Sequence, residues 1–367
     1  MTGAIGKHSG LTGKPEAAKE TEVVVVLPQL LLENGYYYTQ LSEREQRLYG
    51  TILRALEETA ADVPVDAEEE MFKKVFQCVL NDHPEIFYVD GYTFIYYKEG
   101  NRITGKAFSG SYIYSKKEIA EKAAQIEEKV RAILTGIPAG SSEYEKVRYV
   151  YEYLVRHTEY VLESEDNQNI CSVFLNGSSV CQGYAKAAQY LLEELGMDAI
   201  LVSGTVDGGE EHAWNLVKID GVYYHMDITW GDASYVSGGS IEGYEGKIPQ
   251  INYEYLCVPD EEVEKTHRIV GDVPVPVCDS MAANYYVMEG AYFTEVDLEK
   301  AEALFERAYE KQNEYVTMKC ADEAVYQEME KRLIRNQEVF RYLHAEDGVV
   351  AYTLNEQQRA LSFWLQD

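Results

Sequence analysis

The chain has 367 residues, enough for two or three compact domains, since single cores stop growing at about 250–300 residues. Its 63 acidic against 33 basic side chains give a net charge of −30, a field that repels phosphate backbones and anionic lipid and excludes nucleic acid as an expected partner. Hydrophobic residues make up 46%, an ordinary globular share, and no run approaches the roughly 18 apolar residues of a membrane span.

Residues 1–22, rich in Gly, Thr, Lys and Glu, read as a flexible leader, and Val23–Leu27 as a short strand without the flanks of a signal peptide. Asn34-Gly35 signals a turn. Leu41–Glu58 follows as a helix, with Ser42 as N-cap, Glu45 three residues on, and Leu48, Ile52 and Leu56 on one face. A second helix is expected over Ala67–Leu80, ended by His83-Pro84. Tyr92–Tyr97 and Ala107–Ile113 form paired strands about Glu99-Gly100-Asn101. Lys116–Leu134 and Glu143–His157 are amphipathic helices separated by a Gly/Pro break, where a domain boundary is placed. A turn at Asn176–Ser179 leads into Val180-Cys181, and Gln182–Leu195 is a helix ended by Gly196. Three strands follow at Ala199–Gly204, Ala213–Ile219 and Val222–Ile228, the last two joined by the hairpin signal Asp220-Gly221. A Gly- and Ser-rich connector, Gly231–Gly246, crosses the surface and could cover a cleft. The tail reads Tyr285–Tyr292 strand, Val296–Gln312 helix, Tyr315–Lys319 strand, Ala321–Asn336 helix, and a terminal hairpin of Val349–Thr353 with Ala360–Leu365. The class is α+β, divided as 1–22 leader, 23–140 N-terminal α+β domain, 141–265 catalytic domain and 266–367 C-terminal α+β domain.

The six cysteines show no Cys-x-x-Cys pair or metal-finger spacing, and a free Cys181 would exclude a fully paired disulfide framework. A thiolate nucleophile needs a stabilising field, a nearby base and a group that orients the base. Cys181 sits where a loop meets a helix N-terminus, whose unpaired N–H groups and dipole favour a thiolate and could hold an oxyanion. Paired about Asp220-Gly221, His212 falls opposite a position near Thr229 and Asp227 opposite one near Trp214. The two then meet diagonally on one face at the open end of one hairpin. His225 shares the face of Asp227 and is the rival base, but it lies further into the hairpin. Trp214 and Trp230 flank the group as cleft walls or as plain core aromatics. Each residue alone has a plainer reading, with the cysteine as a small buried hydrophobe and the histidine as a bonded core side chain. A zinc set of Cys181, His212, His225 and Asp227 has suitable ligand types but no supporting spacing, so no metal and no cofactor are expected.

The runs Val-Cys-Gln-Gly-Tyr-Ala, Glu-His-Ala-Trp-Asn and Tyr-His-Met-Asp-Ile-Thr-Trp resemble the three catalytic motifs of the transglutaminase-like (papain-like) superfamily in its bacterial branch. The resemblance covers about residues 141–260, with looser likeness at His83–Tyr88 and Tyr253–His267. It implies a core in which a Cys-bearing helix packs on an antiparallel sheet, with Cys181, His212 and Asp227 as the triad. The same motifs suggest Gln182, Tyr184, Trp214 and Trp230 as substrate-binding or cleft-wall residues. Relatives include cross-linkers, cysteine peptidases, amidases and inactive scaffolds, and the calcium sites of animal cross-linkers have no matching motif here. The expected activity is acyl transfer from protein or peptide amides, cell-wall peptide among them, through a thioester. The acceptor is water in a peptidase or amidase and an amine in a transglutaminase; the alternative is a silent adhesion or scaffold module. Exported or surface-attached relatives favour an extracytoplasmic location.

Overall fold

The computed structural model describes residues 35–232, 251–344 and 350–365. The expected leader, the Val23–Leu27 strand, Asn34 of the first turn, most of the Gly231–Gly246 connector and Val349 lie outside these residues.

Three early helices begin on the same local device. In α1 (Glu43–Glu57), Ser42 accepts from the Glu45 backbone N–H while the Glu45 carboxylate accepts from the Ser42 N–H. Ser115 with Glu118 opens α3 (Lys116–Leu134), and Ser142 with Glu145 opens α4 (Glu143–His157), in the same way. Each box satisfies two backbone donors that would otherwise face water. Between them, α2 (Glu69–Asp82) starts without a side-chain cap and packs on α1. The antiparallel pair β1 (Val89–Glu99) and β2 (Arg102–Tyr112) covers Phe72 of α2 with Phe94 and Phe108.

The centre of the molecule is helix α5 (Cys181–Glu194) against a sheet whose order, among the described residues, is β7-β3-β4-β5-β6. Its strands are β3 (Ala199–Val206), β4 (Glu211–Ile219), β5 (Val222–Met226), β6 (Leu256–Val258) and β7 (His267–Ile269), all antiparallel to their neighbours. The Asp220-Gly221 turn, both residues at positive φ, pairs Ile219 with Val222 and carries that register to Asn215 with Met226. Beyond Met226 the chain leaves the sheet, so the strand expected to reach Ile228 stops short. Asp227 instead caps a single helical turn, Ile228–Gly231.

One apolar core runs from Tyr37 to Ala283 and takes in both the early helices and the α5 sheet. A second runs from Tyr286 to Phe363. It is built from α6 (Leu298–Glu310), α7 (Glu323–Glu330) and a sheet of β8 (Tyr315–Cys320), β9 (Tyr352–Asn355) and β10 (Ala360–Trp364), with Tyr292–Phe293 parallel to β8. The strand expected at Tyr285–Tyr292 is corrected here. Asn284 accepts from the Tyr286 N–H and starts a helical turn, Tyr285–Met288, so a local cap overrides the β-propensity of the tyrosines. All six cysteines are free thiols, Cys181 half-buried and the others buried.

Candidate active site

Cys181 is the first residue of α5. The N–H groups of Gly183 and Tyr184 bond the Val180 carbonyl at 3.0 and 3.1 Å, so those of Cys181 and Gln182 are the ones with no acceptor inside the helix. Gln182 is half-buried on the same turn. The cysteine side chain packs on Ala185, Leu201 and Ala213, from α5, β3 and β4. Glycine at position 183 is required: a Cβ there would lie 2.0 Å from Ser179 Oγ and 3.0 Å from the Asn167 carbonyl. The helix is tied to β4 by the buried Asn215, whose Nδ2 donates to the Ala185 carbonyl at 3.0 Å.

His212 lies on β4 opposite Gly204 of β3. Its Nε2–H donates to Asp227 Oδ2 at 2.6 Å, which leaves Nδ1 as the ring nitrogen available to Cys181. The other carboxylate oxygen accepts from the Trp230 backbone N–H at 3.1 Å, and the Asp227 N–H donates to the Tyr255 carbonyl. Both side chains are almost wholly enclosed, His212 at 5% exposure and Asp227 at 1%. Burial alone would lower the imidazole's pKa. The charge of Asp227, the hydrogen bond to it and the Cys181 sulfur overcome that and push it up to about 10. Burial likewise opposes ionisation of Asp227, yet the two histidines beside it hold the carboxyl below its ordinary range.

These shifts have a pH signature. His212 has an ordinary value of 6.5 and a raised folded value, so its contribution to stability is complete below pH 6.5 and is lost as pH rises toward about 10. Asp227 is depressed, so its contribution is present above its ordinary 3.8 and lost as pH falls through the lower folded value. Urea unfolding should therefore show stability from this pair falling between about pH 6.5 and 10, and His212→Gln should remove that slope.

The remaining candidates separate. Trp214 is 1% exposed, lies 6.0 Å from His212 with rings nearly parallel, and donates from Nε1 to His225 Nδ1 at 2.9 Å. It is a buried support beneath the imidazole, not a cleft wall. Tyr184, also 1% exposed, is corrected in the same way, because its hydroxyl donates to the Thr158 carbonyl at 2.7 Å inside the core. Trp230 is half-buried, 6.3 Å from the His212 ring, and its indole N–H has no acceptor among the described residues. An enclosed donor of that kind costs about 1–3 kcal/mol unless a ligand or water accepts it.

The rival base is engaged elsewhere. An indole N–H can only donate, so His225 Nδ1 is an acceptor and its proton sits on Nε2, 2.8 Å from Asp260 Oδ1. Zinc ligands from Cys181, His212, His225 and Asp227 are therefore not brought together. Two other sets of possible metal ligands do cluster, His212/Asp227/His267 and His225/Asp260/Cys278. In both, histidine nitrogen and carboxylate oxygen stand 2.6–2.9 Å apart, the spacing of direct hydrogen bonds. His267 carried no role in the sequence. It lies at the start of a three-residue strand far along the chain, with no periodic signal to mark it.

Residues 131–228 match the family model described as the transglutaminase-like superfamily, and this span contains Cys181, His212 and Asp227. The chain carries a domain of the transglutaminase-like superfamily. This transglutaminase-like domain is similar to mouse (Mus musculus) kyphoscoliosis peptidase, 28% identical over an alignment taking in 24% of this chain and 16% of that protein. The chain thus matches only a small part of its curated relative. A solved transglutaminase structure aligns with 44% of this chain and 48% of its own length at 16% identity and a TM-score of 0.29. A candidate cysteine protease from Cytophaga hutchinsonii aligns with 39% of this chain and 66% of its own, at 12% identity and a TM-score of 0.26.

Proposed function

We propose that the transglutaminase-like domain cleaves peptide or side-chain amides through a thioester on Cys181, with His212 as acid and base and Asp227 as the group that orients it. The observation that carries this reading is the 2.6 Å bond from His212 Nε2 to a buried Asp227, which leaves the other ring nitrogen to serve the cysteine. The sulfur attacks the amide carbon, the C–N bond breaks, and the leaving amine takes a proton from His212. Water then attacks the thioester, its proton returns to His212, and a carboxylic acid leaves. The peptidase name of the mouse relative supports water as the acceptor, and so does the absence of any need for a second binding site.

The test is chemical and needs no known substrate at first. Iodoacetamide at pH 6 is expected to label Cys181 much faster than the other five thiols, and His212→Ala to abolish the difference. Equal, slow labelling of all six would return the chain to a silent scaffold. A Gln-containing peptide set with a fluorescent amine then separates the acceptors: acid release means hydrolysis, amine incorporation means cross-linking.

A further inference from the structure

His267 reaches the same carboxylate, that of Asp227, from another strand. It opens β7, the edge strand, with its ring buried. Its Nε2 lies 2.9 Å from Asp227 Oδ2, the same oxygen that receives His212 at 2.6 Å. A carboxylate oxygen has two lone pairs, and here each receives one imidazole N–H. A carboxylate can only accept, so the ring proton facing it sits on Nε2; Nδ1 stands 2.7 Å from Thr266 Oγ1, a hydroxyl that also lies 3.4 Å from the Val263 carbonyl. Trp230 and Trp214 close on its ring at 4.8 and 5.1 Å, which bars water from the bond. The phenols of Tyr151 from α4 and Tyr255 before β6 also feel this carboxylate; burial first keeps both protonated, followed by the charge of Asp227 for Tyr151 and, among the charges, by Glu254 ahead of Asp227 for Tyr255.

The close approach of β7 has an identifiable cause. Its neighbour on β3 is Gly204, and a Cβ at that position would lie 2.0 Å from the Arg268 carbonyl. A side chain at position 204 would push β7, and His267 with it, away from β3.

We propose that His267 is a fourth member of the site, a positioning residue that donates from Nε2 to Asp227 Oδ2, fixes the carboxylate's rotamer, and through it holds His212 in place beside Cys181. It rests on the reading of Cys181, His212 and Asp227 given above. His267 lies outside the matched span of residues 131–228. It touches neither the sulfur nor the scissile bond, so its effect must travel through Asp227.

The test uses the full chain with nitrogen-15 labelled histidine. In His267→Phe the His212 titration midpoint is expected to fall by about one pH unit, tenfold in the proton equilibrium. The alkaline limb of the pH–rate profile for peptide cleavage should fall with it. His267→Gln, which keeps an N–H donor, is expected to recover most of both. A histidine that only fills space would lower the unfolding midpoint and leave the His212 titration where it was; that result in folded His267→Phe overturns the proposal. Should His267→Phe not fold, Thr266→Val keeps the ring and removes the hydroxyl that holds its Nδ1. A smaller fall in the same midpoint then supports the proposal, and no fall overturns it. If the wild-type Cys181 labels no faster than other thiols, the acyl-transfer reading fails, while the coupling of His267 to His212 still stands or falls on the midpoint.

Discussion

Replacing Asp227 by Asn is expected to lower kcat/KM for the cleaved peptide by about four orders of magnitude, with the fold intact. The side chains are nearly isosteric, so the change removes charge rather than volume. An asparagine can accept one imidazole N–H through its oxygen, but it cannot balance an imidazolium enclosed at 5% exposure. His212 would then revert toward its neutral form, because burial is the largest influence on it and only the neighbouring charge and hydrogen bonds overcome that influence. With the amide oxygen where both rings now meet Oδ2, the NH2 group faces the Trp230 backbone N–H in place of Oδ1, donor against donor. Steady-state kinetics on Asp227→Asn beside Cys181→Ala, which should be inactive, gives the comparison. A loss of less than tenfold would show that Asp227 does not orient the base.

A second large effect is expected far from the sulfur. Glu262 is a buried carboxylate that collects three cations: Lys319 of β8 at 2.7 Å, Arg359 of the β9–β10 turn at 2.7 Å, and Lys265 at 2.9 Å. Lys319 has a side chain only 1% exposed and keeps only the carbonyl and amide oxygens of Gln358 when Glu262 is removed. A stranded interior ammonium makes Glu262→Ala cost about 3–5 kcal/mol, read by urea unfolding. Adding Lys319→Met should recover much of that loss, since it removes the buried charge that Glu262→Ala leaves without its carboxylate. Failure of the double variant to recover would assign the cost to lost packing around residues 260–266. That segment leads directly into His267, and the same β9–β10 turn holds it again through Gln357 Nε2 on the Lys265 carbonyl at 2.9 Å.

Much of the local architecture could be read from residue order because its causes are local. Lys116–Leu134 and Glu143–His157 begin and end where a serine cap and the apolar period put them. The Asp220-Gly221 turn sets a register that brings His212 and Asp227 to one end of a hairpin, and they stand 2.6 Å apart. The details that escaped depend on contacts distant in sequence. The hydroxyl of Tyr184 meets the carbonyl of Thr158, and the indole of Trp214 meets His225, so both rings are interior although their motifs suggested a cleft. His267 reaches the site only because β7 pairs with β3 across some sixty residues, and a three-residue strand leaves no pattern to announce that pairing. At Tyr285–Met288 two local signals competed, and the asparagine cap prevailed over the aromatic run.

The unequal exposure of the site residues also bears on the order of events in turnover. His212, Asp227 and His267 are enclosed, while Cys181 alone among these four is half-open. Among the described residues, substrate and acceptor therefore share one entrance, at the sulfur. On the thioester mechanism proposed above, the first product departs before water or an amine takes its place, so the two half-reactions alternate. With an added amine as the varied second substrate, initial-rate plots are expected to run parallel, the ping-pong mark of a thioester that both partners reach through one opening.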